Sequence, residues 1–309
     1  PVIAFVALAA SGNDYRVPAF VAAAFSGISI LLTWFWLDET HPAEKRRGPA
    51  SKTAFSLASM RAALLHPAVG LLLGLIFVQQ IAFGGFEQLL SLFTLSRLGL
   101  NASGNAVIFV FVGIIVVAVQ GGMIGPWSRR LGDRRLIYLG LALMAVGLAL
   151  TALTPRQPVP WYSRDKLQAE LSASGDFRTH EVPTTRSLSI ELPSDERTGW
   201  LGLGWILLAM VPAAIGGGIL HPSINSLITK RVENSEVGGM LGISAAFLSA
   251  ANAFAPLAGG AIFQVFGSTA PFLFGGLLMA VLLLVTLQYL KPGREDAHPG
   301  DAIHPAGGH

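Results

Sequence analysis

Of the 309 residues, 52% are hydrophobic and 13% charged, against about a quarter charged in an ordinary soluble domain, which excludes a water-soluble globular fold. The formal net charge of +3 does not signal nucleic acid, because the Lys and Arg residues lie in short stretches between apolar runs. The absence of Cys excludes a disulfide framework and a thiolate metal site.

Spanning about 30 Å of hydrocarbon takes about 20 apolar residues at about 1.5 Å each. Seven runs approach or exceed that length: 17–37, 68–95, 105–124, 136–153, 200–228, 238–262 and 270–290. They predict an all-α, polytopic membrane bundle. Residues 1–10 read as the tail of a further helix, turned by the polar stretch from Ser11 to Arg16. The chain opens at Pro1 inside an apolar run, so it reads as a piece of a longer protein. Residues 256–290 run Pro256, small apolar helix, turn at Gly267, Pro271, long apolar helix and charged exit; residues 1–39 loosely repeat that plan with Pro1, Gly12, Pro18 and Asp38. Duplicated halves are a common transporter design. On this plan residues 1–37 close a first half, 38–67 form a central loop, and 68–290 form a second bundle of six helices.

Loops 38–67, 125–135 and 229–237, with the tail after 290, hold thirteen Lys and Arg residues, while the short loops of the other side hold two, Arg16 and Arg97. Because positive charge accumulates inside, the C-terminus and the loop carrying Lys45, Arg46 and Arg47 are expected in the cytoplasm, in a plasma-membrane protein. The long loop 154–199, with six basic and seven acidic residues, is then external. It allows a small cap, with a surface helix at Trp161–Ser172 and a strand at Thr184–Leu192, or a mobile loop. The tail 291–309, rich in Pro, Gly and His, is expected to be disordered. His298, His304 and His309 read as tail sequence before a metal site, so no metal or cofactor is expected.

Two motifs carry a resemblance to the major facilitator superfamily. The stretch Gly125-Pro126-Trp127-Ser128-Arg129-Arg130-Leu131-Gly132-Asp133-Arg134-Arg135 resembles that family's loop motif at Gly125, Arg130, Gly132 and Arg134. Arg129 stands where the family has Asp, so that residue's gating role does not carry over; the other reading is a basic turn that fixes topology. Ala255-Pro256-Leu257-Ala258-Gly259-Gly260 resembles the Gly-Pro-x-x-Gly-Gly motif of the drug:proton antiporter branch, with Ala255 for the first Gly. Pro256 removes a backbone donor, and Gly259 and Gly260 permit close helix approach. The pairs Gly70 and Gly74, Gly121 and Gly125, and Gly238 and Gly242 read as further packing contacts. The resemblance implies that the seven segments are helices six to twelve of a twelve-helix fold.

Glu87 is the only acidic residue within the seven segments. Ten residues before Arg97, it lies about 15 Å of helix from the outer end, where a charge is expensive unless it has a use. Its two readings are a proton or cation site in a cavity and a carboxylate near the interface. Gln80, Gly84, Glu87 and Gln88 share one helical face, with Gln79 beside them; Gly84 and Gly85 allow either a broken helix or close packing. Downstream, Gly216-Gly217-Gly218 precede His221 and Asn225, placed as i and i+4. His221 fits a proton relay, although an interhelical hydrogen bond is favoured for it, as for Asn225 and Asn252. Gln120 is a further cavity candidate. Trp161 and Trp200 fit an interfacial belt, whereas Trp205 reads as a packing residue before a stacking platform.

No enzyme signature or P-loop appears. The resemblance implies a secondary transporter that expels small organic molecules by alternating access, with protons as the coupling ion and the other half of the protein and the lipid bilayer as partners. The alternatives are a facilitator or symporter for a sugar or metabolite, and a receptor or scaffold that uses loop 154–199.

Overall fold

The computed structural model describes residues 16–37, 57–168, 192–194, 198–233 and 236–290, with scattered positions before residue 12. The described chain is helical and contains no strand. Its elements are α1 (Arg16–Trp36), α2 (Leu57–Leu64), α3 (Gly70–Leu98), α4 (Ala102–Ala118), α5 (Ile124–Leu131), α6 (Asp133–Ala152), α7 (Leu201–Arg231), α8 (Val237–Phe266) and α9 (Ala270–Tyr289). Seven helices are long and apolar enough to cross a membrane, as the seven runs predict. The strand expected at Thr184–Leu192 and the tail 291–309 lie essentially outside the described residues.

One difference concerns the basic loop at 125–135. A π turn at Val119–Met123 joins α4 to α5, so a single rod of 30 residues runs from Ala102 to Leu131. The chain then reverses at Gly132, whose φ of 77° suits glycine, and Asp133 already begins α6. The loop is thus one residue long, and Arg129, Arg130 and Arg135 are exposed on the helix ends that flank it.

Helix contacts follow small residues, since apolar lipid gives Leu-on-Leu packing little advantage between helices. The α6–α7 pair is held closest. A Cβ at Gly140 would lie 2.7 Å from Leu220 Cγ, one at Gly216 2.7 Å from the Gly140 carbonyl oxygen, and one at Gly147 2.5 Å from the Ala213 nitrogen. Gly85 of α3 meets Gly259 of α8, and Gly276 of α9 meets Ala145 and Ala149 of α6. Leu72, Ile76, Phe93, Leu141, Met144, Met210 and Phe272 fill the core between these helices. Of the spacings Gly70–Gly74, Gly121–Gly125 and Gly238–Gly242, only Gly70 sits at a helix contact, against the Leu64 carbonyl at the end of α2; a Cβ at Gly74, Gly121, Gly238 or Gly242 meets nothing within 4 Å, and Gly125 faces only Arg129. Spacing alone does not say which side of a helix has a neighbour. Leu273, Leu277, Val281, Leu284 and Leu287 of α9 are exposed, as a lipid-facing stripe must be, and α1 has no buried residue.

At one end of the bundle the described part of loop 154–199 folds back as a cap. Val159 donates its backbone N–H to the Leu98 carbonyl at 3.1 Å, and Arg97 Nη1 donates to the Thr154 carbonyl at 3.0 Å. The Tyr162 hydroxyl donates to the Pro193 carbonyl at 2.8 Å, and residues 164–168 form a helical turn within the stretch expected as a surface helix. Trp161 and Trp200 pack edge to face, with centroids 5.6 Å apart, and both are exposed, as an interfacial pair should be.

At the opposite, basic end Asp133 is buried and joins three elements. It accepts from Ser128 Oγ of α5, from Ser226 Oγ of α7 at 2.6 Å and from Lys230 Nζ of α7 at 2.6 Å. Its place in the first turn of α6 adds a favourable helix-dipole interaction. Asp133→Ala leaves those donors short of an acceptor and should lower stability by about 2–3 kcal/mol. Lys230→Met should cost less than that, because the Lys230 side chain is 48% exposed and the buried carboxylate keeps its two Ser donors. Equilibrium unfolding in mixed micelles measures both; equal losses would mean that the ion pair, and not the carboxylate's hydrogen bonds, ties the elements together.

Candidate functional site

Between α3, α4 and α7 lies a cavity of about 360 Å³. Gln79, Gln80, Phe83, Phe86, Glu87 and Leu90 line it from α3, Phe109, Val112 and Val116 from α4, Gln120 from the π turn, and Met210, Gly217, Gly218 and His221 from α7. Five of the residues singled out from sequence therefore share one space: Gln79, Gln80, Glu87, Gln120 and His221. Gln88 is exposed on α3 but does not line the cavity, and Asn225 sits behind it.

The space exists because α7 is thin at this point. Gly217 faces the Phe83 ring, to which an added Cβ would come within 3.2 Å, and a Cβ at Gly218 would come within 3.3 Å of Val119. Neither the three glycines nor Pro212 and Pro222 interrupt α7, which is helical from Leu201 to Arg231. α3 is likewise unbroken. Gly84 and Gly85 lie against Ala255 of α8, with an added Cβ at Gly84 3.0 Å from Ala255 Cβ, so close packing, not a broken helix, accounts for the glycine pair.

The polar groups are arranged along the cavity. At about 1.5 Å per residue, Gln79 lies about 13 Å from the start of α3 at the basic end. His221 lies about 15 Å from the end of α7, on that same side of the bundle, and Gln120 about 16 Å from the end of α5. These three and Gln80 make one polar level. Glu87 stands about 12 Å further along α3, toward the cap, with Phe83 and Phe86 between.

Second contacts hold most of that level in place. Gln80 Nε2 donates to Asn252 Oδ1 of α8 at 2.9 Å, and Gln120 Nε2 donates to the Gly218 carbonyl at 3.4 Å. Ser244 Oγ of α8 donates to Asn225 Oδ1 at 2.9 Å, which turns Asn225 Nδ2 toward His221 Nε2 at 3.4 Å. Asn225 and Asn252 thus serve as interhelical ties. Glu87 is exposed, and the cavity wall contains no Lys or Arg. Trp205 is a packing residue, its Nε1 donating to the Leu150 carbonyl of α6 at 2.8 Å.

Within the resembled motifs, Arg130 is exposed, Arg134 is half-buried beside Asp133, and Gly125 and Gly132 frame the turn. Gly259 is buried against Gly85 and Leu89, whereas Gly260 has open space and Pro256 is exposed. Three contributors escaped the sequence reading: the aromatic walls, the π turn that carries Gln120, and the Asp133 cluster. An acidic residue directly after a turn glycine and opposite Lys230 was the available signal for the cluster.

Seven helices of membrane-crossing length and apolarity around a cavity with one carboxylate are the architecture of an integral membrane protein. The chain belongs to the Major Facilitator Superfamily, whose family model matches residues 1–163 and 198–305. It is similar to the "Tetracycline resistance protein, class C" of Escherichia coli, at 24% identity over 90% of this chain and 58% of that protein. It is also similar to "Multidrug resistance protein 2" of Bacillus subtilis (strain 168), at 23% identity over 93% of this chain and 60% of that protein. "Multidrug resistance protein 1" of the same organism matches at 22% identity over 90% of this chain and 58% of that protein. The chain thus spans about three fifths of the length of these relatives. No solved structure matches it.

Proposed function

We propose that this chain forms the substrate-binding part of a secondary transporter that expels small organic molecules by alternating access, with proton exchange at Glu87 as the coupling step. The observation that carries the reading is the cavity itself: one carboxylate, three Gln amides and one imidazole face a largely aromatic and aliphatic space without a cationic side chain. Such a wall suits an amphipathic or cationic molecule and leaves Glu87 to hold either that molecule's charge or a proton. The resistance proteins named among the relatives support efflux of drug-like molecules over sugar uptake.

In this reading the basic end, with Arg129, Arg130, Arg134, Arg135, Lys230 and Arg231, faces the cytoplasm of a plasma membrane, and the cap faces outside. The helices from α3 to α9 act as one six-span half. Glu87 and Gln120 are exposed, so a second helical half would complete the path across them, and rocking of the two halves would alternate access. The test is proton movement in everted vesicles containing the full-length protein. Adding a cationic drug should release protons from an acidified lumen; drug flux without proton movement would replace antiport by facilitated transport.

A further inference from the structure

The cavity is unevenly supplied with donors and acceptors. Gln80 and Gln120 commit their NH2 groups to Asn252 and Gly218, so their carbonyl oxygens are what they offer a ligand. His221 Nε2 lies 3.4 Å from Asn225 Nδ2, so that ring nitrogen is already engaged by the protein. An ionised Glu87 only accepts. Gln79 differs from all of these: it is 2% exposed, it lines the cavity, and its side-chain carbonyl oxygen is buried without a hydrogen-bond partner. Leaving such a group unpaired is costly, and buried polar groups are nearly always paired. That oxygen is covered by protein, and a donor in the cavity reaches it when the Gln79 amide rotates toward the space that the residue lines.

Building on the efflux reading, we infer that Gln79 is a specificity-determining residue, selecting elongated organic cations that carry an O–H or N–H donor at the end remote from their charge. The charge sits at Glu87, the middle of the molecule lies along Phe83 and Phe86, and the donor reaches Gln79 about 12 Å away along α3. A cation with an apolar far end fills the same space and leaves Gln79 unpaired, so it binds more weakly. Sites built to hydrogen-bond a ligand group discriminate against analogues lacking that group; loss of one such bond is worth about tenfold.

The test uses two probes of equal charge, a trimethylammonium head joined by a flexible chain to a phenol, and the O-methyl ether of that phenol. Equilibrium dialysis with the purified full-length protein in micelles should show the phenol bound about tenfold more tightly. Gln79→Met should bring the two affinities together by weakening the phenol alone. Gln79→Glu, which keeps an acceptor, should preserve the preference; it also decides the matter if the Met variant does not fold. Equal affinities in the unsubstituted protein, a preference that survives Gln79→Met, or one lost in Gln79→Glu would each overturn the role of Gln79 while leaving the cavity as the binding site. If neither probe binds, the efflux reading falls, and this inference falls with it.

Discussion

Glu87→Gln should abolish drug-driven proton movement in everted vesicles, reducing it to the level of vesicles without the protein, while the variant reaches the membrane in normal amount. Glu87 is the single carboxylate of the cavity, and no hydrogen bond to it occurs among the described residues. Its removal therefore orphans nothing. On insertion scales a charge at the helix centre costs about 2.5–3.5 kcal/mol, so the neutral amide should leave the fold unharmed or slightly more stable. A stability loss would reveal a structural partner. The expected outcome is a split between function and fold: thermal unfolding unchanged or improved, neutral-drug exchange down its own gradient retained, and coupling to protons gone. Coupling that persists in Glu87→Gln would remove this carboxylate from the mechanism and leave His221 as the titratable group in the cavity.

Membrane-spanning segments were legible in the sequence because hydrocarbon demands long apolar runs whatever their neighbours are. The seven runs accordingly match the seven spans, with end shifts such as Leu131 in place of residue 124 where the π turn and α5 prolong the helix. The candidate site was partly legible for a related reason: a polar side chain at membrane depth is conspicuous, so Gln79, Gln80, Glu87, Gln120 and His221 could be picked out singly. Their convergence was not legible, since it depends on how α3, α4 and α7 rotate about their axes. Gln88 shows the limit. It is adjacent to Glu87 on a helix that reads as polar there, yet the 100° step between neighbours takes it out of the cavity. Asp133 was missed for the opposite reason, because a charged residue among four Arg in a short basic stretch looks solvated until its helix is laid against Ser226 and Lys230.

Helix-packing glycines were the least legible feature, and they make the sharpest stability prediction. A Cβ at Gly147 would come within 2.5 Å of the Ala213 nitrogen and 2.7 Å of its Cα, so the obstacle is backbone and no rotamer change relieves it. Gly147→Ala gains about 0.5–1 kcal/mol of helix propensity but must part α6 from α7 along their whole contact, for a net loss of about 1–3 kcal/mol. Gly147→Leu should exceed that range and sharply reduce the yield of monodisperse protein. Because α7 also carries Gly217, Gly218 and His221, the displacement reaches the cavity, and drug binding should fall together with stability. Gly74→Ala is the matched comparison, since nothing lies within 4 Å of its added Cβ. It should be neutral or stabilising by up to about 1 kcal/mol. Unfolding in mixed micelles distinguishes the two by sign: a Gly147→Ala protein as stable as Gly74→Ala would show that α6 and α7 are not held at backbone contact, and the thin wall that opens the cavity would need another cause.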